Sequence, residues 1–383
     1  MAATRIMILI DWYLPGTKAG GPVRSVYSLV QLLKSHYKFY IITSSYDLGA
    51  VHPYPDIQTD QLLEKEGVAY YYSSERKISA KQILQLISRV RPHLLYLNSF
   101  WSSAFSINIL RLQKKRMVNV PVLLAPRGML GAGALNLKAL KKKSFLLIAK
   151  MLGLYQKLTF HATQQQEAND ILNVYAKAKI IIAPNLNAAV PAENLSHKKK
   201  GHLKLFFLSR ISKVKNLHYA LEVLHRVPAS LQIDYDIFGN VEDNFYWENC
   251  KKQIGALPPN IRVTYKGELG FNQIQDNLRH YHALFLPTLN ENFGHSIVES
   301  LMCGCPVIIS DQTPWNDVSE AGGYALPLSE PDRFVKAIQA LADADHENFR
   351  RLSTSAIDYI VKKTDLVSAE EQYKTLFDGA IKN

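Results

Sequence analysis

Two glutamates eight residues apart, Glu291 and Glu299, lie in the run NENFGHSIVESLMCGCPVIISD. A glycine-bearing loop passes there into a short helix and then a strand. Gly294 frees the backbone to turn or to approach a ligand closely, and Ser296 to Met302 reads as about two helical turns. Gly304 supplies the helix stop, and Pro306 opens the strand Val307 to Ser310. A helix that begins in such a loop offers backbone N–H groups to an anion, with Glu299 in its first turns and Glu291 on the loop before it. Ser296 and Glu299 equally fit an S-x-x-E capping box, which needs no ligand. On the local pattern alone the two readings stand level.

Other candidates lie where strands end. Arg210 and Lys215, just past LFFLS, place a guanidinium and an ammonium at a strand's mouth, where they suit a diphosphate; a solvated basic loop is the alternative. In LPGTKAGGPVRSV, Gly20 and Gly21 allow a turn, and Pro22 suits the first position of a helix. No G-x-G-x-x-G follows any predicted strand, so a nicotinamide-dependent dehydrogenase loses its main support. His161 ends a strand just before a helix and is open between a substrate contact and a structural hydrogen bond. Arg127, beside Gly128, either fixes its loop by a salt bridge or holds an acceptor phosphate. The absence of any acid between Glu75 and Glu167 favours the acceptor. Asp234 and Asp236 alternate within a predicted strand rather than forming a D-x-D loop, so no metal is expected. Cys250, Cys303 and Cys305 show no C-x-x-C spacing for zinc or a redox couple and read as small packing residues in a reducing cytosol.

These residues need a scaffold, and the chain supplies β/α alternation twice. Strands are predicted at Arg5 to Ile10, Phe39 to Thr43, Leu94 to Leu97, Val122 to Ala125, Leu158 to Ala162 and Lys179 to Ala183, with helices between most of them. The polar, proline-containing stretch NLNAAVPAENLSHKKKGH reads as an interdomain linker. A second series follows: strands Leu203 to Leu208, Ile233 to Phe238, Arg262 to Tyr265, Ala283 to Pro287 and Val307 to Ser310, then a helical tail from about Asp332. The fold class is α/β, with two Rossmann-like α/β/α domains of mainly parallel sheet, residues 1–186 and 203–365. A C-terminal helix, 366–383, is expected to pack back toward the first domain. Ligands are expected in a cleft between the domains, at the carboxyl ends of the strands.

A chain of 383 residues with 47% hydrophobic and 20% charged residues is globular in composition. No apolar run approaches the roughly 20 residues of a membrane span, and the N-terminus lacks a signal peptide's layout. The net charge of +12 is uneven: residues 1–185 hold 24 Lys and Arg against 9 Asp and Glu, and the remainder 21 against 24. Residues 76–166 contain 16 basic residues, among them Lys138, Lys141, Lys142 and Lys143. Such a field attracts phosphates of nucleic acid, anionic lipid or a phosphorylated substrate. Leu135 to Leu158 reads either as a basic amphipathic helix on a membrane surface or as a core helix with a solvated lysine face.

A Gly-Gly loop after the first strand, Arg210 with Lys215 after the first strand of the second domain, and the E-x7-E stretch with CGCPVIIS together resemble family 4 glycosyltransferases of the GT-B type. APRGML at Ala125 to Leu130 and FHATQQQEA at Phe160 to Ala168 extend the likeness over nearly the whole chain. The resemblance implies a retaining enzyme that uses a nucleotide sugar, with no metal and no separate cofactor. Arg210 and Lys215 would contact the donor diphosphate as catalytic groups, with Glu291 near the donor sugar and Glu299 on the ribose. Gly20, Gly21 and the stretch Phe293, Gly294, His295 and Ser296 would line the donor, and Asn240 the nucleotide base. Asn98 stands where many relatives carry a histidine; asparagine can bond a sugar hydroxyl but cannot act as a base. Catalysis need not suffer, because the departing phosphate can itself take the acceptor's proton. Asn98, Arg127 and His161 are the expected acceptor contacts. The acceptor is expected to be a saccharide, free or linked to a polyprenyl phosphate, at the cytoplasmic face of an anionic membrane during cell-surface polysaccharide synthesis. Two rivals are a catalytically silent nucleotide-sugar-binding subunit and a basic nucleic-acid-binding protein, the latter without any recognised nucleic-acid signature.

Overall fold

The computed structural model describes residues 3–136, 139–187 and 189–382. The chain divides into two compact units, one of Met1–Ala188 with Leu366–Asn383 and one of Ala189–Asp365. In the first unit eight strands form one sheet: β1 Thr4–Leu9, β2 Tyr37–Ser44, β3 Leu62–Lys65, β4 Val68–Ser73, β5 Leu94–Asn98, β6 Val122–Ala125, β7 Thr159–Ala162 and β8 Lys179–Ile182. Their order is β3-β4-β2-β1-β5-β6-β7-β8, parallel except for β3 against β4. The β3–β4 hairpin, which the hydrophobic pattern does not reveal, turns through Glu66 and Gly67, both at positive φ. β5 and β6 are buried at every position, as strands covered on both faces must be.

In the second unit, β9 His202–Leu208, β10 Gln232–Phe238, β11 Ile261–Gly267, β12 Ala283–Leu286, β13 Val307–Ser310 and β14 Tyr324–Leu326 form a parallel sheet. Its order is β11-β10-β9-β12-β13-β14. The chain leaves β9 for β10 on one side and returns to the other side at β12, so the loops after β9 and β12 diverge at a topological switch point. In the first sheet the equivalent point lies between β1 and β5.

One departure from expectation has a plain physical cause. From Ala189 onward, the stretch expected to be a linker is an integral part of the second unit. Its Ala192 N–H donates to Met302, Leu195 N–H to Arg279, and the buried Asn194 amide to the carbonyls of Tyr281 and Cys303. Lys198, also buried, donates to the carbonyls of Lys199, Ala342 and Ala344 and so caps the helix Pro331–Asp343. Polar side chains that satisfy backbone groups leave no hydrophobic period to read. The C-terminal helix Leu366–Ile381 belongs to the first unit: Tyr373 donates to Pro184 at 2.8 Å, and Phe377 packs edge-on against Tyr37, Phe39 and Tyr96.

Candidate active site

The second unit gathers most of the candidate residues at the β9/β12 switch point. Lys215 ends a 3-10 turn, Lys213–Lys215, and Asn216 follows in the left-handed region, at φ 60°. The Asn216 amide donates to Pro287 O at 2.9 Å, while Leu289 N–H and Thr288 Oγ1 donate to Val214 O at 2.8 and 3.0 Å. The loop after β9 is thereby stitched to the loop after β12. Across that seam, Lys215 Nζ meets Glu291 Oε2 at 2.6 Å, with the two side chains only 11% and 18% exposed. Arg210 extends to the surface, where it pairs with Glu242 at 2.9 Å. Ile211 N–H donates to the Asn240 carbonyl at 2.8 Å, which sets the loop after β10 beside the Arg210 loop.

The helix His295–Met302 starts at Gly294, whose φ of 84° and ψ of 59° only glycine adopts without cost. A Cβ there would lie 2.8 Å from Ile297 Cδ1. The capping-box alternative is overturned, because Gly294 and not Ser296 is the N-cap. Ser296 Oγ instead donates to Leu208 O at 2.5 Å, tying the helix start to the end of β9. Phe293 is fixed from the other side by Trp315, whose indole N–H donates to its carbonyl, and His295 stacks edge-on to Phe293 at 4.8 Å. Glu299 lies farther along the same helix and is buried.

In the first unit, Gly20 is the N-cap of the helix Gly21–Leu33, at φ 67°, with open space where a Cβ would project and Pro22 in the first turn. Three other candidates form one network. Arg127, at φ 56° in a turn with Gly128, donates to Asn98 Oδ1 at 2.7 Å, to Asn185 Oδ1 at 2.6 Å and to Tyr96 OH at 3.0 Å. Tyr96 OH lies 2.6 Å from His161 Nδ1, and His161 Nε2 lies 2.8 Å from the Ala183 carbonyl. A carbonyl only accepts, so Nε2 carries the proton and Nδ1 accepts from Tyr96. His161 is therefore a correction: it is fully enclosed with both ring nitrogens engaged, the structural reading rather than a substrate contact. Arg127 is fixed by neutral oxygens rather than by the salt bridge weighed for it. The Asn98 amide nitrogen is buried without a hydrogen-bond partner.

Burial, with the Arg127 guanidinium second, lowers the His161 pKa from 6.5 to about 3. Between those values the unfolded state holds the proton and the folded state does not, so this stability is present above pH 6.5 and is lost as pH falls toward 3. Urea denaturation should show the pH 7 to pH 5 loss of unfolding free energy reduced by about 2 kcal/mol in His161→Gln. An equal loss in both proteins would exclude His161 as its source.

Asp11, two residues beyond β1, escaped sequence reasoning. Ser102 Oγ donates to it at 2.7 Å across the switch point of the first sheet, and burial pushes its carboxyl up. The available signal was its position after the first strand. Trp315 was also missed, because its bond to Phe293 depends on a tertiary turn. Asp234 bonds His202 at 2.8 Å, and Asp236 accepts from Tyr281 OH at 2.7 Å. The three cysteines are free and buried, and burial pushes the Cys250 thiol up to about 11 and the Cys303 thiol to about 12.

Residues 191–358 match the family model of glycosyl transferases group 1. The Lys215–Glu291 pair, the Gly294 turn and the helix after it all fall inside this group 1 segment. A UDP-N-acetylglucosamine–peptide N-acetylglucosaminyltransferase GtfA subunit of Limosilactobacillus reuteri subsp. suis is 25% identical over 206 residues, 51% of this chain and 38% of the relative. The O-antigen chain mannosyltransferase RfbU of Salmonella typhimurium is 28% identical over 102 residues, 26% of this chain and 29% of the relative. The matched regions thus span well under half the length of either curated relative. Among solved structures, Anabaena HepE in complex with UDP and glucose aligns over 98% of this chain and 100% of its own, with a TM-score of 0.67 and 14% identity. Sucrose-phosphate synthase from Thermosynechococcus elongatus aligns over 98% of both chains, with a TM-score of 0.71 and 14% identity. The two parallel-sheet α/β units are those of the GT-B fold.

Proposed function

We propose that the chain is a retaining glycosyltransferase that moves a hexose-type sugar from a UDP- or GDP-sugar to a saccharide or lipid-linked saccharide acceptor. The observation that carries this reading is the Lys215–Glu291 pair at 2.6 Å, set across the β9/β12 switch point within the group 1 segment. In this reading Lys215 and Arg210 take up the negative charge that develops on the departing diphosphate. That diphosphate accepts the proton of the acceptor hydroxyl as the new glycosidic bond forms, so no imidazole is required at Asn98. Glu291 orients Lys215 and faces the sugar, the backbone from Phe293 to Ser296 borders sugar and phosphates, Glu299 holds the ribose, and Asn240 borders the base. Gly20 and Gly21 complete the donor side. Asn98 and Arg127 serve the acceptor, with His161 acting behind Arg127 as a positioning residue through Tyr96. The names of the curated relatives, a peptide N-acetylglucosaminyltransferase subunit and an O-antigen chain mannosyltransferase, support sugar transfer. In this reading the transfer serves cell-surface polysaccharide synthesis at the cytoplasmic face, and the UDP bound in HepE makes UDP-sugars the first donors to test.

Purified protein incubated with a panel of UDP- and GDP-sugars is expected to release nucleoside diphosphate, faster when a saccharide acceptor is added. Tight nucleotide binding without release from any donor would replace this reading with that of a silent binding subunit. Neither binding nor release would remove it altogether.

A further inference from the structure

The helix Ala139–Met151 has two apolar faces, and only one of them is covered. Leu146 and Ala149 are buried in the core of the first unit, with Phe145 packed edge-on to Trp101 at 5.5 Å. On the opposite side Leu140, Leu147 and Met151 are 87%, 62% and 76% exposed, and Ile148 and Leu152 beside them 53% and 50%. Positions i, i+7 and i+11 fall in one column of an α-helix, and i+8 and i+12 in the next, so these five side chains share one side of the helix as a stripe, with the exposed Ser144 between Leu140 and the other four. Among the described residues, the other exposed large apolar side chains of the unit, Val51, Leu63, Met117, Leu172 and Ile182, are separate in sequence.

The charges around the stripe are all of one sign. Lys141, in the column of Ile148 and Leu152, and Lys143, beside the column of Leu140, are both exposed. Lys142 turns inward, bonding Ala134 O at 2.5 Å and lying over the Trp101 ring. Lys150 lies over the Tyr175 ring. Lys138 falls outside the described residues. A second copy of this chain docked stripe to stripe would oppose lysine to lysine, since residues 76–166 contain no carboxylate. A bilayer surface answers both features: acyl chains take the leucines and methionine, while lysine stems run along them and the ammonium groups reach anionic phosphates. Among the described residues no helix is long and apolar enough to cross a membrane, so the contact lies in the interface plane.

We propose that the outer face of the helix Ala139–Met151, with Leu152, is a docking surface for a bilayer that carries anionic lipid. This surface stands independently of the sugar-transfer reading, because it uses none of the residues assigned to donor or acceptor. The protein is expected to co-sediment with vesicles of phosphatidylglycerol and phosphatidylcholine in equal parts, and to stay in solution with phosphatidylcholine alone. Leu147→Glu with Met151→Glu should lower the bound fraction at least tenfold with the melting temperature unchanged, since both side chains already face water. Lys141→Gln and Lys143→Gln should each weaken binding about fivefold. The proposal is overturned if the protein ignores both kinds of vesicle, or if the double glutamate variant sediments as fully as the unaltered chain. It is overturned equally if the unaltered chain elutes as a dimer that the glutamate variant converts to monomer, which would make a second copy the occupant.

Discussion

Lys215→Ala is expected to lower nucleoside diphosphate release roughly 10²- to 10³-fold, the range for removing one preorganised donor from a developing oxyanion. The size of the effect follows from the position of Lys215. Its ammonium is almost shielded from water and is aimed by Glu291, so it needs no reorganisation when charge builds on a phosphate. The same substitution should reduce unfolding free energy by about 1 to 3 kcal/mol, because Glu291 is left with its partner removed and little solvent to replace it. Adding Glu291→Gln removes the stranded charge. The double variant should therefore regain most of the stability and none of the turnover, as read by urea denaturation alongside product release. Recovery of turnover in the double variant would make the pair a structural tie. Arg210 offers the contrast: its pair with Glu242 is more than a third exposed on both sides, so Arg210→Ala should slow release while leaving the denaturation midpoint near its starting value.

Gly239→Ala is expected to cost on the order of 3 kcal/mol of stability. Gly239 has φ 141°, and a Cβ on it would fall 1.9 Å from the Ser209 carbonyl oxygen, a backbone atom that cannot swing aside. The only relief is to part the ends of β9 and β10, which Ser209 N–H now holds together through Phe238 O at 3.0 Å. Arg210 is the next residue, so the displacement passes directly to the proposed diphosphate side of the site. Thermal melts should place the variant far below Gly255→Ala, where a Cβ meets nothing within 4 Å. Equal melting temperatures for the two would show that the loop after β9 yields freely.

The parallel strands that run through the core were legible because burial on both faces leaves uninterrupted apolar runs, as in Leu94–Asn98 and Val122–Ala125. The hairpin of β3 and β4 was not. β3 is mostly exposed and so carries no alternation, and the Tyr-rich β4 gives no sign of the partner that flanks it. Strand ends were the informative places: Arg210, Lys215 and Glu291 were singled out because chemistry in a parallel α/β sheet collects there. That Lys215 would pair with Glu291, 76 residues away, depended on the switch-point geometry and had no local signal. The capping box was a false lead because a glycine one position ahead of the helix took the N-cap, which a four-residue pattern does not register. His161 stood at the right end of its strand, yet the strand buries it.

The helix Leu366–Ile381 follows the whole second unit in sequence, although it completes the first. During synthesis residues 1–188 leave the ribosome with Tyr37, Phe39 and Tyr96 still lacking the aromatic contact of Phe377, and Pro184 lacking the hydroxyl of Tyr373. The second unit, Ala189–Asp365, is contiguous in sequence and leaves the ribosome before that helix. The first unit is therefore completed only after every residue of the second unit has been synthesised.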